Sequence, residues 1–161
     1  MDQSPEQKAI TSPFEKLLVA LASSHVDFAV VGGLAVIFNG YPRFTLDADI
    51  IVGNTTDNLR RLLDCLTGWG EGFARELKPE DFIFEQGAIR VTEDFELDIF
   101  IRMSGKSLDD FRPRLRYLET SGVRIPYLAP EDLIFLKEGS WRDKDKLDVQ
   151  AMREIIAREK R

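Results

Sequence analysis

The apolar positions change period several times along the chain, and each change marks an element. Phe14, Leu17, Leu18 and Leu21 recur at helical spacing behind Ser12 and Glu15, which form a capping box around Pro13, so a helix is expected from Ser12 to near Ser24. The unbroken run Phe28-Ala29-Val30-Val31 is short and β-rich, and it predicts a buried strand that ends at Gly32-Gly33. Leu34 to Phe38 gives a short second helix with Gly40 as its stop signal. Thr45 to Val52 reads as a strand, because Asp47 and Asp49 run into Ile50-Ile51-Val52. Leu59, Leu62, Leu63 and Leu66 share one face of a helix from about Thr56 to Leu66, capped by Thr55 or Thr56. Gly68, Gly70 and Gly72 surround Trp69 in a loop.

Beyond that loop the period returns to two. Phe82–Glu85, Ala88–Thr92 and Phe95–Ile101 are expected strands, the last two joined by a Glu93-Asp94 turn. In the third, Glu96, Asp98 and Phe100 share one face while Leu97, Ile99 and Ile101 share the other. A short polar helix near Lys106–Phe111 precedes a hairpin of Leu115–Glu119 and Val123–Leu128 around Ser121-Gly122. Two helices finish the chain. One starts at Pro130 with Glu131 and Asp132 in its first turn; the other runs from about Lys144 to Ala157 with Leu147, Ala151, Met152, Ile155 and Ile156 apolar. No repeat or Pro/Gly-rich linker divides the pattern, so residues 1–161 are read as a single domain.

Composition narrows the chemistry. With 161 residues, 43% apolar and 31% charged, the chain is long enough to bury a core without a staple. Cys65 is the one cysteine, so there is no internal disulfide framework, and it is read as filling space on its helix. His25 is the one histidine; this removes His-rich zinc sites, argues against His-dependent triads, and leaves carboxylates to carry any metal chemistry. His25 itself falls at a helix end, where histidine commonly meets the last carbonyls. No run approaches the ~18 apolar residues of a membrane span, and the polar start MDQSPEQKAI lacks a secretory pattern, so the expected location is cytoplasmic.

The formal charge of −6 argues against generic electrostatic binding to nucleic acid, but it is unevenly spread. Residues 1–101 carry a net −9 and residues 102–161 a net +3. Such a split suits a site that joins a divalent cation to a polyanion, although surface charge also varies without function. Arg112, Arg114 and Arg116 form an R-x-R-x-R run that reads either as a contact for RNA or polyphosphate or as a solvated edge. Neither a G-x-G-x-x-G fingerprint nor a G-x-x-x-x-G-K-[ST] loop occurs, so dinucleotide-binding and Walker-type readings fail.

The informative segment is Val31-Gly32-Gly33, thirteen intervening residues, then Asp47-Ala48-Asp49. Glycines at a strand-to-helix junction let backbone approach a ligand, and the amides of the following helix suit a phosphate. Aspartates at i and i+2 of one strand project from the same face, close enough to share hard divalent cations. Asp98 completes a three-carboxylate cluster if its strand lies beside theirs, and three carboxylates suit two metals for in-line phosphoryl or nucleotidyl transfer.

This order of residues resembles the DNA polymerase β-type nucleotidyltransferases, whose signature is h-G-[GS], a gap of about ten residues, D-h-[DE]-h and a later strand aspartate. Arg43-Phe44-Thr45-Leu46-Asp47-Ala48-Asp49-Ile50 is also similar to the R-x-T-x-D-x-D segment of minimal bacterial members and AbiEii-like toxins. The stretch Tyr127-Leu128-Ala129-Pro130-Glu131-Asp132-Leu133-Ile134-Phe135-Leu136-Lys137, with Arg142-Asp143-Lys144-Asp145 and Asp148, is similar to their C-terminal ending. The likeness spans about residues 28–150. Ala48 stands where a bulky aliphatic is usual, and Gly33 lacks the hydroxyl of a common Ser.

The resemblance implies an α/β (α+β) nucleotidyltransferase fold: a short mixed sheet backed by helices, with a small C-terminal helical extension. It implies a magnesium-dependent enzyme that moves a nucleoside monophosphate from a nucleoside triphosphate to a hydroxyl of tRNA, protein or a small molecule, in the AbiEii-like setting a toxin with a cognate antitoxin protein. By position, Gly32 and Gly33 would bind the triphosphate, and Asp47, Asp49 and Asp98 two magnesium ions. Asp98 would also accept the acceptor's proton, Lys137 neutralise β/γ-phosphate charge, Asp148 orient Lys137 or the acceptor, and Arg43 contact phosphate or acceptor. Lys137 also suits a plain helix C-terminus before Gly139. The competing function is a non-catalytic, nucleotide-sensing or antitoxin-like module of the same fold, which intact Asp47, Asp49 and Asp98 argue against.

Overall fold

Hydrophobic runs at the two periods build one mixed sheet and its covering helices. The computed structural model describes residues 13–68, 88–92 and 96–160. In chain order these form α1 (Pro13–Ser23), β1 (Phe28–Val31), α2 (Gly32–Phe38), β2 (Asp47–Val52), α3 (Thr56–Thr67), β3 (Ala88–Thr92), β4 (Glu96–Phe100), β5 (Arg102–Met103), β6 (Lys106–Ser107), α4 (Leu108–Phe111), a 3₁₀ turn (Arg112–Arg114), β7 (Arg116–Thr120), β8 (Val123–Tyr127), α5 (Pro130–Lys137) and α6 (Asp143–Glu159). The expected strand Phe82–Glu85, the Glu93-Asp94 turn, the loop with Trp69, Gly70 and Gly72, and Ser12 of the capping box lie outside the described residues.

Among the described residues six strands hydrogen-bond in the order β3-β4-β2-β1-β8-β7. Parallel pairs β2/β4 and β1/β8 alternate with antiparallel pairs β3/β4, β1/β2 and β7/β8, so the sheet is mixed, as expected. All four residues of β1 are buried, the mark of a central strand covered on both faces. The core around it joins Leu17, Leu18 and Leu21 of α1, Ile50 and Ile51 of β2, Leu62 and Leu66 of α3, and Ile125 and Leu133 further along.

The local chemistry explains the boundaries. Helix α1 closes with the left-handed residue His25 (φ 59°): the His25 amide donates to Ala22 and the Val26 amide to Leu21, the two bonds of a Schellman motif. It is thus the backbone of His25 that meets the last carbonyls. Thr55 caps α3 by accepting a 3.1 Å bond from the Asn58 amide. Cys65 on that helix is half-buried, and burial pushes its thiol up from the usual range, against a hydrogen bond with Ser24. Ser121 (φ 49°) and Gly122 (φ 77°) supply the two left-handed residues that a tight β7–β8 hairpin needs.

Two expectations need correction. The helix expected near Lys106–Phe111 is only Leu108–Phe111, because Lys106–Ser107 pairs with Arg102–Met103 as a small separate hairpin; Ser107 and Asp110 then cap the helix reciprocally. Helix α6 does not bury Leu147, which is 55% exposed. Its inner stripe is Asp145, Asp148, Val149, Met152 and Ile155, a register set by two carboxylates that find cationic partners inside.

Candidate active site

The order of the strands brings the aspartates together. Parallel pairing of β2 with β4 sets Asp49 directly opposite Asp98, and antiparallel pairing of β1 with β2 sets Val31 opposite Asp49. Asp47 is two residues from Asp49 on the same face. Asp98 is buried, while Asp47 and Asp49 are half-buried at the open end of the strands. Thr45 ties the approach to this point: its hydroxyl bonds the carbonyl and amide of Asp47, at 3.2 and 3.4 Å.

The electrostatics at this point are severe. Burial, repulsion from Asp98 and a side-chain hydrogen bond with Asp98 push the Asp49 carboxyl up to about 7, with Asp47 adding repulsion and Lys137 opposing it. Two facing carboxylates near one another hold a proton in place of a second charge. The same arrangement, hard anionic oxygens short of countercharge, is what a divalent cation relieves. Among the described residues no three His, Cys, Asp or Glu groups converge into a complete metal cage. The donor set is therefore a carboxylate pair with Asp47 alongside, which fits magnesium, an ion that takes one or two carboxylates and completes its shell with water and substrate phosphates.

The glycines are fitted to these side chains. Gly32 turns the chain out of β1 at φ 66°, and any Cβ there would collide with the Asp49 carboxylate. At Gly33 a Cβ would collide with the Arg43 guanidinium and press on the Thr45 hydroxyl. Arg43 thus occupies the space that a Ser side chain at position 33 would need. No side chain caps α2, whose N-cap is Val31.

Opposite the carboxylates lies a second, cationic set. Lys137, at the end of α5, donates to Asp145 at 3.0 Å and pairs with Asp148 at 3.1 Å. Arg43 pairs with the same Asp148 oxygen at 3.1 Å, so this carboxylate, 1% exposed, links the loop before β2 to α5 and α6. Asp145 also accepts from Ser140 at 2.8 Å and Arg142 at 3.0 Å. Burial would raise the Asp145 carboxyl, but the hydrogen bonds from Ser140 and Lys137 outweigh it and hold the group at about 2.

One cavity of about 320 Å³ joins both sets: Gly32, Gly33, Asp47, Asp49 and Asp98 line it together with Arg43, Lys137, Arg142 and Lys144. Of the site residues that the resemblance implies, all line this cavity except Asp148, which pairs with Arg43 and Lys137. Asp145 and Thr45 received no role from the sequence. The signal for Asp145 was its place three residues before Asp148 on a stripe otherwise apolar.

The R-x-R-x-R run is elsewhere and already engaged. Arg112 pairs with Asp27 and Asp109, Arg114 takes the buried Asp132 in a forked grip, and Arg116 takes Glu159. These arginines staple elements together, so neither a free RNA strip nor a merely solvated edge describes them.

The sequence profile of a family described as "Nucleotidyltransferase of unknown function (DUF6036)" matches residues 9–158. No curated protein sequence matches the chain significantly. Among solved structures, it is similar to the lincosamide antibiotic adenylyltransferase LnuA bound to lincomycin, with TM-score 0.62 and 15% identity over 89% of this chain and 96% of that one. It is similar to the antibiotic-resistance factor ANT(2'')-Ia, with TM-score 0.56 and 13% identity over 96% of this chain and 88% of that one. An antigenic nucleotidyltransferase-like protein from Paracoccidioides brasiliensis gives TM-score 0.52 and 20% identity over 94% of this chain and 77% of that one. At these identities the likeness establishes the fold, and it agrees with the mixed sheet described above.

Proposed function

The chain belongs to the DUF6036 family of nucleotidyltransferases, enzymes that move a nucleoside monophosphate from a triphosphate to an acceptor, and we propose that the cavity between Asp49 and Lys137 is where it does so. The observation that carries this reading is the register that faces Asp49 with Asp98 beside Gly32, in one cavity with Lys137 and Arg43.

In this reading the triphosphate lies along the backbone of Gly32 and Gly33, whose missing side chains leave room for Asp49 and Arg43 to stand beside it. Lys137, Arg43 and Arg142 face its β- and γ-phosphates. Asp98 takes the proton of the acceptor hydroxyl; the hydroxyl oxygen bonds to the α-phosphorus as the bond to the bridging oxygen breaks. The electron pair leaves on pyrophosphate, whose charge Lys137 offsets. The Asp49 and Asp98 pair, with Asp47 alongside and substrate phosphates completing the shell, would hold magnesium, two ions in the full arrangement, which supplies Lewis-acid polarisation and countercharge when bound. Asp145 and Asp148 aim Lys137, and Asp148 aims Arg43.

The acceptor is a hydroxyl of tRNA, protein or a small molecule. The lincomycin complex of LnuA supports the small-molecule case by fold alone. The AbiEii-like R-x-T-x-D-x-D segment supports a toxin role with a cognate antitoxin protein. Among the described residues no helix is long and apolar enough to cross a membrane.

Calorimetry with ATP, CTP, GTP and UTP, with and without magnesium, tests the reading. Asp47, Asp49 and Asp98 repel a bare triphosphate, so binding is expected only with the divalent ion. Equal binding in EDTA would overturn the metal assignment.

A further inference from the structure

Three of the four cations that line the catalytic cavity are already engaged. Arg43 pairs with Asp148, Lys137 with Asp148 and Asp145, and Arg142 with Asp145, so two carboxylates of α6 offset most of the charge of these three. Lys144 is the fourth. It lies next to Asp145 in the chain and one helical turn before Asp148, yet among the described residues no carboxylate stands within ion-pair distance of its ammonium.

The place of Lys144 on its helix is unfavourable by itself. Helix α6 begins at Asp143, so Lys144 falls in the first turn, where unsatisfied amides present positive charge and a cation is destabilising. Asp143 and Asp145 on either side follow the usual preference for acidic residues there, and Lys144 breaks it. Lys144 is also exposed while lining the cavity, which puts it at the mouth. Arg43 and Lys137, with side chains 11% and 13% exposed, stand deeper.

We propose that Lys144 binds the γ-phosphate of the incoming nucleoside triphosphate and makes the site selective for triphosphates over diphosphates. This rests on the nucleotidyl-transfer reading above. The reacting α-phosphorus lies beside Asp98, where the acceptor hydroxyl loses its proton, so the far end of the phosphate chain extends past Arg43 and Lys137 toward the mouth. There an ammonium that has no carboxylate to leave meets the terminal phosphate in a charge-assisted hydrogen bond. The anion also offsets the repulsion between Lys144 and the positive end of α6. A diphosphate stops one phosphate short of this contact.

Calorimetry with magnesium and each of ATP, CTP, GTP and UTP, beside the matching diphosphates, tests the assignment on the parent protein, Lys144→Gln and Lys144→Arg. Lys144→Gln is expected to weaken triphosphate binding about tenfold and diphosphate binding by no more than about twofold. Lys144→Arg keeps the charge and should stay within about threefold of the parent for both. Lys144 has no ion pair to lose and its charge opposes the helix end, so Lys144→Gln should melt at or slightly above the parent protein. Unchanged triphosphate affinity in Lys144→Gln overturns the proposal, and so does an equal loss for triphosphates and diphosphates. A parent protein that binds none of the four triphosphates rejects the nucleotidyl-transfer reading itself. A parent that binds them no better than Lys144→Gln does rejects the role of Lys144 alone.

Discussion

Asp49 and Asp98 stand opposite each other across the parallel strands β2 and β4, so main-chain register alone forces two carboxylates to one point. A folded protein tolerates that in one of two ways, by holding a proton or by holding a cation. Asp49 shows the first, with its carboxyl pushed up to about 7 by burial and by Asp98.

The proton has a measurable consequence for the metal-free protein. Asp49 is raised in the fold from 3.8 to about 7, so its contribution to stability is fully present below pH 3.8 and is lost as pH rises through about 7. Asp49→Asn imitates the protonated form at every pH. In EDTA the variant should gain on the parent protein steadily as pH rises from about 4 and melt several degrees above it at pH 8. A difference that does not change with pH would show that Asp49 is ionised throughout. Magnesium should also release a proton on binding and bind more weakly at pH 6 than at pH 8.

This pair shows what the sequence could reveal. Period two along Phe95–Ile101 put Asp98 on a polar face, and D-x-D put Asp47 and Asp49 on another, but no local pattern states which strands are neighbours. The β2/β4 pairing depends on the whole sheet order, and the likeness to a known family supplied what periodicity lacked. Leu147 shows the limit from the other side. Hydropathy placed it inward, whereas Asp145 and Asp148 took the inner stripe because Lys137 and Arg142 wait there from the preceding turn of chain and Arg43 from a segment 105 residues away. The three arginines Arg112, Arg114 and Arg116 looked alike in sequence for the same reason: their partners Asp27, Asp132 and Glu159 lie elsewhere in the chain.

Arg114 gives the second prediction. Its forked grip on Asp132 satisfies a carboxylate that is only 5% exposed. Arg114→Gln leaves that acceptor short of donors and should destabilise the protein by about 1–3 kcal/mol, with Mg²⁺-ATP binding unaltered. Denaturant titration checks the first and calorimetry the second. A variant as stable as the parent protein would mean that Asp132 finds another partner.

The two adjacent glycines should fail differently. Gly32→Ala meets both a left-handed backbone and the Asp49 carboxylate, so it should lose at least ~1 kcal/mol of stability along with triphosphate binding. Gly33→Ala meets the far end of the flexible Arg43 side chain, which can swing away at the expense of its 3.1 Å pair with Asp148. Its loss should appear mainly as weaker triphosphate binding, about tenfold, with a melting temperature near that of the parent. Equal melting temperatures for both variants would contradict the backbone argument for Gly32.

Asp98 separates chemistry from scaffold. Asp98→Asn keeps the shape of a buried side chain but removes an anionic oxygen and the group proposed to accept the acceptor's proton. Transfer of radiolabelled nucleotide should fall by at least ~10², while triphosphate binding, held by Gly32, Gly33, Asp47, Asp49 and Lys137, changes little. Stability moves the other way. Repulsion between Asp98 and Asp49 is among the causes that push Asp49 up, so neutralising Asp98 should leave the metal-free protein equally or slightly more stable and return the Asp49 carboxyl toward its ordinary range. A residue that merely completes the strand would give the reverse pairing, normal transfer with a lower melting temperature. Activity and a melting curve in EDTA, measured on the same preparation, decide between the two: retained transfer removes the proton-accepting role assigned to Asp98.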